Sequence, residues 1–210
     1  MKKSLLALAI LFIGSLSVNA YAAGAPNSEL IVSGSLKVPT CTITPAADGV
    51  YDIGKQSATL VKPAAETQLA TISQNWLVQC DADTYLVFTP IDNRADSSSK
   101  AGFTYFGLGH VNGEGKIGYF SAAITNGQVD GVSSKVFVTS IGAIGGAATA
   151  NLASDARTGW SDGKQLQSGK LFSGDIVVSP VLGSTATMNG PVTEDTDIDG
   201  SLTLSFGFGI

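Results

Sequence analysis

Two cysteines and a single histidine in 210 residues leave little material for metal or nucleophilic chemistry. A zinc centre needs three or four ligands drawn from His, Cys and carboxylates, and a hydrolytic triad needs its histidine beside a nucleophile. No HExxH occurs, so His110 is read as a loop histidine, and neither catalysis nor a cofactor or metal is expected. Basic residues are also scarce, with 12 Lys+Arg against 17 Asp+Glu and a formal charge of -5. That balance argues against nucleic acid or anionic lipid as natural partner, because both demand clustered Lys and Arg. No strong amphipathic helix is visible, nor a long internal repeat, nor any run approaching the roughly 18 apolar residues of a membrane span.

What is present begins with an export signal. Lys2 and Lys3 precede the apolar run Leu5 to Ile13, and small residues around Ala20 and Ala22 offer cleavage sites, so residues 1–22 read as a secretory signal peptide. Its removal would take the formal charge to about -7. The remainder fits one domain and is rich in Gly, Ser, Thr, Ala and Val, with short apolar runs cut by turn residues, a β-rich pattern. In an oxidising compartment the even cysteine count makes one disulfide, Cys41 to Cys80, the expected state.

Two alternating segments stand at opposite ends. In Glu29 to Pro39, Leu30, Val32, Leu36 and Val38 share one face with Gly34 at its centre, an apolar strand with a notch. At the C-terminus, Leu202, Leu204, Phe206, Phe208 and Ile210 alternate with Ser201, Thr203, Ser205, Gly207 and Gly209. Between them, strands are expected in Gln68 to Gln79, delivering Cys80 to Cys41, in Tyr85 to Ile91, in Lys116 to Thr125 and in Lys170 to Leu182. Gly142 to Asn151 reads as loop or weak helix, and Arg157 to Gly169 as turn chemistry around Trp160.

Three short motifs have plain readings. Gly113 to Gly118 matches GxGxxG, but β-like residues follow it, so a Gly-rich hairpin turn is expected rather than a dinucleotide fingerprint. Asp195 to Gly200 repeats the first half of a calcium loop, yet Phe206 stands where the bidentate Glu belongs, so a solvated acidic turn is expected. Asp92-Asn93-Arg94 with Asp96 reads as turn-forming, or as a polar network or carbohydrate contact.

Taken together, these pieces resemble the subunits of chaperone-usher pili, more closely the DUF1120 group of fimbrial-like proteins. The resemblance rests on Leu30 to Val38 with Gly34 seven residues before Cys41, on Pro39-Thr40-Cys41-Thr42 and on Tyr51-Asp52-Ile53-Gly54. Asp92 to Ala95, Phe106 to Gly109, Lys116 to Tyr119 and the apolar C-terminal strand add to it. It implies an all-β, incomplete immunoglobulin-like β-sandwich at 41–210, preceded by a donor-strand extension at 23–40. Leu30, Val32, Gly34, Leu36 and Val38 would form the donor strand, and Leu202, Leu204, Phe206, Phe208 and Ile210 the acceptor groove and chaperone-contact strand. The implied partners are a periplasmic chaperone, an outer-membrane usher and other pilus subunits, and the implied destination is the cell surface. The alternative expectation is a secreted monomeric β-sandwich that binds carbohydrate or another surface ligand through loops 92–100 and 157–165.

Overall fold

The computed structural model describes residues 28–209, so the signal-peptide reading of residues 1–22, and Ile210, lie outside the described residues. Two units are distinguished, one ending at Lys37 and one running from Val38. In the first, residues 28–37 carry no regular secondary structure and are exposed.

The second unit is all-β, and among its described residues the only helical turns are short 3-10 segments. Its strands are β1 (Cys41–Pro45), β2 (Thr67–Gln68), β3 (Ile72–Asp92), β4 (Phe106–Gly107), β5 (His110–Val111), β6 (Gly115–Lys116) and β7 (Gly118–Val129). They continue with β8 (Val132–Ser133), β9 (Lys135–Thr139), β10 (Thr149–Asn151), β11 (Arg157–Ser161), β12 (Ser168–Leu182) and β13 (Leu202–Phe208). All but β5 and β6 belong to one curled, antiparallel sheet that closes over itself in a sandwich-like arrangement.

The hinge of the arrangement is β3, 21 residues long and shared by both halves. Its first part lies between β1 and β12, while β7 continues that layer beyond β12. Its second part lies between β13 and β11, with β9 beyond β11. Of the two strands expected at Gln68 to Gln79 and Tyr85 to Ile91, the residues from Ile72 on form one element, while Gln68 lies in β2 and residues 69–71 in no strand. Asp81 to Thr84 contain neither Gly nor Pro, and the chain passes through them with a bulge: Thr84 faces Gly169 and Gln79 faces Leu171.

A row of rings fills the space between the halves. Phe172 of β12 meets Trp160 of β11 at 5.2 Å between centroids, Trp160 meets Phe88 of β3 edge-on at 6.1 Å, and Phe88 meets Phe206 of β13 at 5.1 Å. Trp160 is buried, and its Nε1 donates to the carbonyl of Ser173 at 2.8 Å, so the ring adds apolar area without leaving an orphan donor. Arg157 to Ser161, expected as a turn, is thus a core strand. Gly142 to Asn151 forms no helix and ends in β10.

Candidate functional site

The last strand sets the geometry. β13 pairs with β3 along its whole length, from Leu202 opposite Asp92 to Phe208 opposite Leu86, and no described strand pairs with its other edge. Period-two alternation turns Leu202, Leu204 and Phe206 toward the core, where they are only half-buried, and Thr203, Ser205 and Gly207 outward. Phe208, at the strand's end, is 40% exposed. An unpaired backbone edge above incompletely covered apolar side chains is a template for another strand.

The Asp92-Asn93-Arg94 run holds this strand in place. Asp92 accepts the backbone N–H of Arg94 on Oδ1 and that of Gly107 on Oδ2, which fixes the turn after β3. Asn93 Nδ2 donates to Ser201 Oγ and Thr203 Oγ1, at 2.9 and 3.0 Å. Arg94 Nε donates to Asp199 Oδ2 at 3.0 Å in an exposed ion pair. Turn former and polar network, offered above as alternatives, are both present. What sequence reasoning missed is the partner, the start of β13, for which a run of loop residues gives no signal.

On the first half, β1 pairs, among the described strands, only with β3 and is stapled to it by the disulfide Cys41–Cys80, which joins residues directly opposite in the register. Beside it, Trp76 and Tyr51 are half-buried. Burial pushes the Tyr51 phenol up to about 12, against the opposing hydrogen bond from Trp76.

The remaining sequence candidates separate clearly. Leu30 and Val32 are 85% and 88% exposed, Leu36 and Val38 are exposed as well, and space around Gly34 is open. Gly113 to Gly118 contains the turn of the β5–β6 hairpin, with Asn112 and Gly113 at positive φ, as expected for a Gly-rich turn. His110 is exposed on β5, and Asp195 to Gly200 has no regular secondary structure. Of the loops suggested for a surface ligand, 157–161 is β11, with Thr158 to Ser161 buried, which removes that part of the expectation.

One motif passed over above is Gly159-Trp160-Ser161-Asp162-Gly163, which spells GxSxG. A nucleophile elbow exposes its serine on a strand-to-helix turn. Here Ser161 is fully buried at the end of an antiparallel strand, its Oγ donates to the carbonyl of Gly145, and no helix follows.

Fold and edges together define an all-β, sandwich-like protein with one disulfide and a strand, β13, that no described strand pairs on its second edge. Residues 30–105 match the family described as "Protein of unknown function (DUF1120)", a span running from the exposed alternating segment through both cysteines to the loop that anchors β13. No curated protein matches the chain.

Proposed function

We propose that the chain is a structural subunit of a chaperone-usher fimbria, without catalysis, that polymerises by donor-strand exchange. The observation that carries this reading is the open edge of β13, with Leu202, Leu204 and Phe206 half-buried beneath it, in a chain whose residues 30–38 offer an exposed strand-like apolar pattern. Residues 30–38 of one copy would complete the incomplete immunoglobulin-like sandwich of another. A periplasmic chaperone would hold the edge beforehand, and an outer-membrane usher would direct the exchange toward the cell surface. Burying Leu30, Val32, Leu36 and Val38 contributes on the order of 6 to 12 kcal/mol before ordering costs, with ladder hydrogen bonds in addition. Such a contact is head-to-tail and does not close on itself, so it produces a fibre.

The test is to delete residues 24–38 and add a synthetic peptide spanning Glu29 to Pro39. The truncated chain should fail to polymerise, and the peptide should raise its melting temperature. A Gly34→Arg peptide should not, because the added side chain has no place between closely approaching backbones. A truncated chain that is a stable monomer and whose melting temperature ignores the peptide overturns the reading.

A further inference from the structure

A cleft of about 890 Å³ opens between the end of β3, the loop 95–103 and Lys116 of β6. That volume is in the range of ligand clefts. Its chemistry is unusual for this acidic chain, because two lysines, Lys100 and Lys116, line it together. Lys100 Nζ sits 4.5 Å from the Tyr105 ring centroid and 5.0 Å from that of Tyr119, and donates to Tyr119 Oη at 3.3 Å. Lys116 Nζ donates to the carbonyl of Ser98 at 2.9 Å. An ammonium has three N–H donors, so each keeps spare capacity, and neither pairs with a carboxylate among the described residues.

One carboxylate, Asp92, lines the cleft, each of its oxygens accepting a backbone N–H, and Glu66 accepts from the Tyr119 hydroxyl to which Lys100 donates. Phe103, also on the wall, is 62% exposed. The cleft therefore combines two lysines, against a single lining carboxylate, with an exposed aromatic side chain.

We infer that this cleft binds a carboxylated sugar, its carboxylate on Lys100 and Lys116 and the apolar face of its pyranose ring on Phe103. A free inorganic anion would make no use of the aromatic wall, and a neutral sugar would leave both cations unmatched. No residue of β13 lines the cleft, although Pro90 to Asp92 of its wall are the residues of β3 opposite Leu204 to Leu202.

The experiment titrates the whole exported chain, in whatever oligomeric form it takes, with glucuronate, N-acetylneuraminate, methyl glucoside and acetate, followed by calorimetry. At least one acidic sugar should bind saturably, with methyl glucoside and acetate each weaker by about tenfold or more. Lys116→Gln should remove the preference for the charged sugar, whereas Phe103→Ala should weaken sugar binding and leave acetate unchanged. Both positions are partly or largely exposed, and an unchanged melting temperature checks that the variants fold. Acetate binding as well as the acidic sugars, methyl glucoside binding as well as they do, or saturable binding by neither acidic sugar overturns the assignment.

Discussion

Trp76 Nε1 donates to the phenolic oxygen of Tyr51 at 2.9 Å, and the same hydroxyl donates onward to the carbonyl of Ile176 at 3.2 Å. A single oxygen thus ties residues 51, 76 and 176 together. Tyr51→Phe should destabilise the fold by about 1 kcal/mol, because it strips a partner from both the indole N–H and the carbonyl. Chemical denaturation of the two proteins at neutral pH measures it.

The same tyrosine makes a pH prediction. Its folded pKa is raised to about 12, while an unfolded tyrosine ionises near 10. Between those values the folded state retains a proton that the unfolded state has lost, so stability is intact below pH 10 and declines as pH rises toward 12. Denaturation midpoints at pH 9 and pH 11.5 should fall further for the parent protein than for Tyr51→Phe. Equal falls would show that other groups account for the loss.

Reduction of Cys41–Cys80 should cost about 4 kcal/mol on the chain-entropy estimate, the two residues being 39 positions apart. Urea titrations with and without reductant, alongside the double variant Cys41→Ser/Cys80→Ser, should give matching losses.

Gly107→Ala is expected to be among the more damaging small substitutions. A Cβ there would collide with the carbonyl of Arg94 and with Ser97 Oγ. Backbone cannot yield as a flexible side chain can, and overpacking of this kind costs about 1 to 3 kcal/mol. The readout is the melting temperature of the purified variant.

Asn93→Ala should loosen β13 selectively. Losing the bonds to Ser201 and Thr203 removes about 1 kcal/mol, and amide exchange should accelerate in β13 more than in β12. Arg94→Ala should have a much smaller effect, because both partners of its ion pair with Asp199 are substantially exposed.

Much of the fold is legible where one face is buried and the other is wet. β13 and most of β7 and β12 alternate in burial as their apolar residues alternate in sequence. The disulfide was expected from the even cysteine count, and the structure places Cys41 opposite Cys80. β11 was illegible for the opposite reason: Thr158, Gly159, Trp160 and Ser161 are all buried, so no period-two contrast survives, and Gly and Ser imitate a turn. The continuity of β3 was hidden by the polar Asp81, Asp83 and Thr84, where the strand bulges instead of ending. The anchoring of β13 by Asn93 joins residues 108 and 110 positions apart, which only the assembled topology brings into register.

The length and position of β3 also impose a timetable. During synthesis the N-terminus emerges first, so Leu86 to Asp92 are in place long before Leu202 to Phe208 exist to pair with them. Until then the second half of β3 presents a bare edge above the aromatic core, the exposure that invites mispairing with neighbouring chains. Residues 93–201 must follow before that vulnerability ends, so the order of the strands, as much as their final pairing, determines how long the nascent protein is at risk.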